Sequence, residues 1–98
     1  MEQLTFEYYA KQKVSRRAHV GVAGSGDLEI LIEPCQEQRA YVVIRTRSNG
    51  FGKTWKAVLD RFFTVYDLAV SIEINDFGAT PGVVSLRLAQ AVEVLIGE

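Results

Sequence analysis

Two stretches of alternating apolar and polar residues flank a glycine-rich turn, and this pattern constrains the fold more than any other feature. The first stretch covers residues 18–22, and the turn is Gly24-Ser25-Gly26-Asp27. The second stretch starts at Leu28 and is expected to end at Pro34. Two such runs joined by a short connection predict a β-hairpin. Its apolar face would consist of Val20, Val22, Leu28, Ile30 and Ile32.

Two further strands are predicted downstream of the hairpin. Residues 40–46 are rich in β-branched side chains, which favour strands. Because only a short connection separates them from the hairpin, the first three strands are expected to form an antiparallel meander. Residues 68–74 alternate again, with Val70, Ile72 and Ile74 on one side.

Apolar residues at helical spacing predict two helices. One follows the turn at Ser48-Asn49-Gly50. The other begins at Thr80-Pro81, with the threonine as N-cap and the proline in the first helical position, and is expected to stop at Gly97. Their apolar stripes would consist of Phe51, Trp55, Val58, Leu59 and Phe62 in the first helix and Val84, Leu88, Ala91, Val92 and Leu95 in the second.

The predicted order β-β-β-α-β-α implies an α+β fold. A sheet with one apolar face needs a cover, so we expect a two-layer sandwich: a mostly antiparallel sheet with two helices on one face. The chain of 98 residues is expected to form a single domain. Residues 1–15 show no sustained hydrophobic period and are predicted to form an N-terminal arm. The aromatic side chains of this arm could pack against the domain or against a partner.

Composition excludes several classes of function. The formal net charge is −1, without the basic excess that is usual in nucleic-acid-binding domains. The N-terminus lacks the apolar core of a signal peptide, and no segment approaches the roughly 18 apolar residues that span a bilayer. We therefore expect a cytoplasmic protein that binds neither nucleic acid nor membrane. A single cysteine, Cys35, allows neither an intrachain disulfide nor a multi-cysteine metal site.

Few residues could carry chemistry by themselves. Ser25 and the only histidine, His19, could form a nucleophile and its base, but no carboxylate is obviously placed to orient the imidazole. The nucleophile-elbow pattern Gly-x-Ser-x-Gly also fails, because positions 23 and 27 are Ala23 and Asp27. The glycine-rich run matches neither phosphate-loop template. Scattered acidic and amide side chains without ligand spacing predict no metal site.

The turn Gly24-Ser25-Gly26 has a different character. A hydroxyl stands between two residues without side chains, whose backbone can adopt positive φ freely. Such a serine could enter the active site of another protein. The alternative is an ordinary glycine-rich turn in which the serine merely tolerates solvent.

Two segments of the chain are distinctive enough to compare with known families. The first is Val20-Gly21-Val22-Ala23-Gly24-Ser25-Gly26-Asp27-Leu28-Glu29-Ile30-Leu31-Ile32-Glu33-Pro34. The second is Ile74-Asn75-Asp76-Phe77-Gly78-Ala79-Thr80-Pro81-Gly82-Val83-Val84, followed by Leu86-Arg87-Leu88-Ala89-Gln90-Ala91. Both segments resemble the acyl-carrier (delta) subunit family of malonate decarboxylase, and the similarity extends more loosely through the predicted middle helix.

The resemblance implies a carrier without catalytic residues of its own. Ser25 would hold 2'-(5''-phosphoribosyl)-3'-dephospho-coenzyme A through a phosphodiester, with Gly24 and Gly26 giving access to a prosthetic-group transferase. A malonyl-loading acyltransferase and the transferase and decarboxylase subunits of malonate decarboxylase would be its further partners. Candidate partner contacts are Asp27, Glu29, Asn75, Asp76 and Phe77, which could equally serve the turns in which they lie.

Three other functions remain open at this point. The chain could carry acyl groups for a related lyase complex such as citrate lyase. It could be an interaction module that bears no arm. The third possibility is a small hydrolase that uses Ser25 and His19. No acidic residue is obviously placed to orient the His19 imidazole in such an enzyme.

Overall fold

The computed structural model describes residues 1–96, and within them six strands and two helices follow one another. The elements are β1 (Glu2–Tyr9), β2 (Gln12–Lys13), β3 (Ala18–Gly21), β4 (Leu28–Pro34), β5 (Arg39–Thr46), α1 (Gly52–Val65), β6 (Leu68–Asp76) and α2 (Pro81–Leu95). The predicted α+β class is confirmed, as is the order β-β-β-α-β-α from Ala18 onward. Gly97, the predicted stop signal of the last helix, lies outside the described residues.

The main sheet has the order β1-β5-β6-β4-β3, and β2 pairs with the start of β6. The predicted hairpin is confirmed, because β3 and β4 pair antiparallel with His19 opposite Leu31. The predicted meander is wrong, because β6 lies between β4 and β5, antiparallel to the first and parallel to the second. The four residues between β4 and β5 can span the roughly 10 Å across one intervening strand, so their shortness does not force the two strands to be neighbours.

Both helices cover the same face of the sheet, and the core lies between the two layers. Thr80 caps α2 as predicted, its side chain accepting a hydrogen bond from the amide of Val83 at 3.2 Å. Phe51, expected in the apolar stripe of the first helix, instead precedes α1 and is 51% exposed. The helix residues in the core are Trp55, Leu59, Phe62, Val84, Leu88, Ala91, Val92 and Leu95.

The N-terminal residues are part of the sheet. All eight residues of β1 pair with β5, and β2 pairs with β6. Leu4, Phe6 and Tyr8 pack against the core, and the Tyr8 hydroxyl donates to Asp60 Oδ1 at 2.7 Å. In the sequence, these three side chains alternate with polar ones, which is typical of a strand. The alternation is short, so it is a weak basis for predicting a strand.

No helix within residues 1–96 is long and apolar enough to cross a membrane. Cys35 follows β4 and is partly buried.

Candidate functional site

Ser25 lies in the turn between β3 and β4, residues 22–27, which we call the Ser25 turn. Its tip is a β-turn closed by a hydrogen bond from the amide of Asp27 to the carbonyl oxygen of Gly24, at 3.1 Å. Ser25 and Gly26 occupy the two central positions, and both are exposed. Gly26 has φ +77°, the backbone conformation that type II turns require at their third position.

The glycines around Ser25 have different roles. Gly26 adopts positive φ, and a side chain there would meet nothing within 4 Å. Gly24 does not adopt positive φ, so only one of the two flanking glycines uses the freedom expected of both. Gly21, whose role the sequence did not reveal, has φ +88°, and a Cβ atom there would lie 2.0 Å from the carbonyl oxygen of Leu28. Gly21 is therefore the glycine that the hairpin depends on most.

The Ser25 turn is joined to the loop between β6 and α2, residues 77–80, which we call the Phe77 loop. The amide of Gly26 donates to the carbonyl oxygen of Phe77 at 2.8 Å, and the amide of Phe77 donates to that of Asp27 at 2.9 Å. These bonds continue the ladder in which Leu28 pairs with Asp76. The two segments that carry the family resemblance are therefore neighbours in space.

Asp27 is held by Arg87, a residue of α2 that sequence reasoning did not select. Arg87 donates from Nη2 to Asp27 Oδ2 at 2.5 Å and from Nε to Oδ1 at 3.1 Å. The side chains are only 26% and 21% exposed, respectively, so the pair is partly shielded from water. Hydrogen bonding from Arg87, helped by the amide of Leu28, holds the pKa of the Asp27 carboxyl below its usual value. The aspartate thus fastens the Ser25 turn to α2, an intramolecular role that does not need a partner.

We expect Arg87→Gln to raise the pKa of Asp27 toward the usual carboxyl value of about 3.9. Because the folded-state pKa is depressed, the stabilisation is present above that value and is lost as the pH falls through the lowered one. A carboxyl-carbon NMR titration measures the shift. Arg45→Gln, which removes a cation paired with Glu73 instead, should leave the Asp27 titration unchanged. An unaltered Asp27 pKa in Arg87→Gln would contradict the assignment.

Glu29 bridges two side chains on the sheet face opposite the helices. Its Oε2 lies 2.9 Å from His19 Nε2, and its Oε1 accepts from Asn75 Nδ2 at 3.1 Å. These hydrogen bonds, with that of His19 the larger influence, lower the pKa of the Glu29 carboxyl. The expectation that no carboxylate orients His19 is therefore wrong, because sheet pairing brings Glu29 to it. His19 nevertheless lies within β3, two residues before Gly21, which is the last paired residue of that strand. Ser25 lies after Gly21, in the turn that follows β3.

The remaining predicted contact residues differ in their surroundings. Asp76 is 5% exposed, and its carboxylate accepts from Thr46 Oγ1 at 2.7 Å and from the amide of Ala79 at 3.0 Å. Its side chain holds the Phe77 loop in place, which argues against direct contact with a partner. The ring of Phe77 is partly buried beneath the Arg47 guanidinium, 4.8 Å from its centroid. No group of three or more acidic, histidine or cysteine side chains within residues 1–96 could hold a metal ion.

A cavity of about 310 Å³ opens beside the Phe77 loop, where both helices begin. Its wall is mostly apolar, and Gly78 lies on the side nearest the Ser25 turn. Further lining residues include Phe51, Trp55, Pro81, Val84 and the buried Asp76. The site therefore combines an exposed hydroxyl, a rigidly held turn and an adjacent cavity.

Comparison with known proteins gives one consistent family. The family model described as malonate decarboxylase delta subunit (MdcD) matches residues 15–95. The malonate decarboxylase acyl carrier protein of Azotobacter vinelandii is 47% identical over 94 residues, 95% of each chain. The protein so described from Pseudomonas syringae pv. tomato is 50% identical over 94 residues, again 95% of each.

A solved structure also matches closely. It is the crystal structure of a Pseudomonas malonate decarboxylase hetero-tetramer in complex with malonate. The TM-score is 0.92 at 46% sequence identity, and the match covers 97% of this chain and 99% of the other. At this identity the likeness extends beyond the fold to the sequence.

Proposed function

The chain belongs to the malonate decarboxylase delta-subunit family and is an acyl carrier subunit, and we propose that its carrying arm is attached to Ser25. The observation that carries the proposal is that Ser25 is exposed at the tip of a turn. The residues before and after Ser25 are both glycines. Hydrogen bonds to the Phe77 loop and the ion pair with Arg87 hold that turn at a defined place. A loading enzyme could approach the hydroxyl without displacing a side chain.

The arm would be 2'-(5''-phosphoribosyl)-3'-dephospho-coenzyme A, joined through a phosphodiester to Ser25 Oγ. The residues present fit such a link, because the hydroxyl is accessible and Gly26 leaves open space beside it. When bound, the group supplies a terminal thiol that can form thioesters. Loading would form the bond from Ser25 Oγ to phosphorus and break the bond from that phosphorus to a phosphate or pyrophosphate leaving group on an activated form of the arm. A base of the prosthetic-group transferase would take the Oγ proton.

A thioester is what decarboxylation of malonate needs. Loss of CO2 leaves an electron pair on carbon, and a free carboxylate accepts it poorly because that group is already negative. A thioester carbonyl can take the pair as an enolate, which hydrogen-bond donors in a partner subunit can stabilise. The transferase subunit would exchange acetyl for malonyl on the carrier with release of acetate. The decarboxylase subunit would release CO2 and supply the proton that restores the acetyl form.

This chain would present substrate to its partners and catalyse neither step. Ser25 would be the residue that is modified, while Asp27 and Arg87 position it. His19 and Glu29 form a cross-strand pair whose geometry is explained by the sheet register. We therefore expect no turnover of malonate by the isolated chain, with or without its arm.

Intact-mass measurement tests the attachment. Protein purified with its active complex from a host that makes the prosthetic group should carry the mass of one arm, and fragmentation should place it on Ser25. The same chain made in a host without the loading machinery should have its unmodified mass and serves as the control. An active complex whose carrier has an unmodified Ser25 would overturn the proposal.

A further inference from the structure

We propose that the cavity between the Phe77 loop and the starts of α1 and α2 binds the adenine of the arm, so that the root of the arm is held while its thiol end stays free. The inference rests on the proposed attachment at Ser25. It assigns a second, noncovalent site on this chain for the same group.

The first argument is position. Gly78 lines the cavity, and its Cβ position would lie 3.9 Å from the backbone nitrogen of Gly26, the residue after Ser25. Both of these residues are glycines, so neither contributes a side chain that could fill the space between the Ser25 turn and the cavity wall. Gly78 has φ +97°, a conformation that favours glycine over residues with a side chain.

The second argument is shape and polarity. A volume of about 310 Å³ is at the lower end of the range for small-molecule sites, which suits one ring system better than a whole coenzyme. Two aromatic residues line the cavity, Trp55, which is 6% exposed, and Phe51, which is 51% exposed. Aromatic side chains bind nucleobases by stacking on their faces.

The third argument is charge. Asp76 lies in the wall, and its two oxygens accept one hydrogen bond each from Thr46 and Ala79. A carboxylate has about four acceptor positions, so capacity is left for the exocyclic amine of adenine. The same negative charge disfavours the phosphates of the arm. The base is therefore the part of the group that this cavity suits.

The connectivity of the arm agrees with this assignment. The serine phosphate is joined to a ribose, which is joined to the 2' position of the adenosine, and the thiol is at the opposite end. Adenine is thus near the attachment point, and docking it leaves the pantetheine part free to reach partner subunits. Tethering raises the effective concentration of the base to roughly the millimolar range, so weak intrinsic affinity is sufficient.

Trp55 is the only tryptophan and provides a direct readout. The arm-bearing chain and the unmodified chain are compared by tryptophan fluorescence and by amide NMR, with intact mass confirming the modification. Stacking of adenine should lower Trp55 emission and shift the amide signals of Gly78 and Ala79.

Ala79→Leu, which narrows the cavity, should abolish the fluorescence difference between arm-bearing and unmodified chains. Ala89→Leu is the matched control, because Ala89 lines a separate recess near the end of α1, and it should leave the difference intact. NMR spectra of the unmodified variants verify that the variants fold. If a variant fails to fold, the comparison of arm-bearing and unmodified wild-type chains still tests the proposal.

The outcomes separate the two proposals. A chain that carries the arm on Ser25 but shows unchanged Trp55 emission and unchanged Gly78 and Ala79 signals overturns the docking and leaves the attachment intact. Persistence of the full fluorescence difference in folded Ala79→Leu would also overturn the docking site. An unmodified Ser25 in an active complex overturns both proposals.

Discussion

Replacing Ser25 with Ala is expected to abolish loading of the arm and, with it, malonate decarboxylation by the assembled complex. Alanine has no oxygen with which to form the phosphodiester, so the loss should be complete. The fold should be retained, because Ser25 is an exposed turn residue and such substitutions usually change stability by less than about 0.5 kcal/mol. Intact mass, CO2 release by the complex and the urea midpoint of the chain measure the three effects.

Ser15→Ala is the matched control, because Ser15 is also exposed and lies outside the strands and helices. It should load normally and support normal activity. Full activity of a complex containing Ser25→Ala would favour an interaction module without an arm. A loaded chain that supports citrate cleavage, with no CO2 release from malonate, would instead favour a carrier for a related lyase.

Gly21→Ala is expected to destabilise the domain by about 3 kcal/mol or more, which lowers Tm by about 10 °C or more in a domain of this size. Two costs combine at this position. A side chain at φ +88° is in a region that L-residues rarely adopt, and its Cβ would lie 2.0 Å from the carbonyl oxygen of Leu28. The clashing oxygen belongs to the backbone of Leu28, across the hairpin, so no side-chain rotation can relieve the clash. β3 and β4 would have to separate locally.

Gly26→Ala separates the two costs. Its φ is also positive, at +77°, but nothing lies within 4 Å of the added Cβ, so only the conformational cost of about 1–2 kcal/mol should appear. Gly24→Ala, without positive φ, should cost least. Urea unfolding of the three variants measures the order. If Gly21→Ala were no more destabilising than Gly26→Ala, the steric argument would be wrong.

Local periodicity predicted most of the secondary structure correctly. The hairpin, the two helices and the Thr80-Pro81 start of α2 each depend on patterns within a few residues, which sequence displays directly. Which strands lie next to each other in the sheet could not be predicted as well from the sequence. β6 lies between β4 and β5 because strand order is decided by packing of the whole layer, and alternation alone leaves that order open.

The candidate site divides in the same way. Ser25 and its flanking glycines were visible as an accessible turn, and the family resemblance supplied a specific chemistry for the hydroxyl. The residues that hold the turn were not visible, because Asp27 and Arg87 are 60 positions apart in the chain. The pairing of Glu29 with His19 was likewise hidden until the register of β3 and β4 was known.

The α+β fold and the position of Ser25 on a hairpin turn could be predicted from the amino-acid sequence, since periodicity and turn composition are local properties. The surroundings of that serine could not be predicted, because they form only when the whole chain has folded. The Phe77 loop, Arg87 and the cavity at the helix starts reach the Ser25 turn through contacts between distant parts of the chain. Such contacts depend on strand order and helix packing, which are properties of the assembled layers.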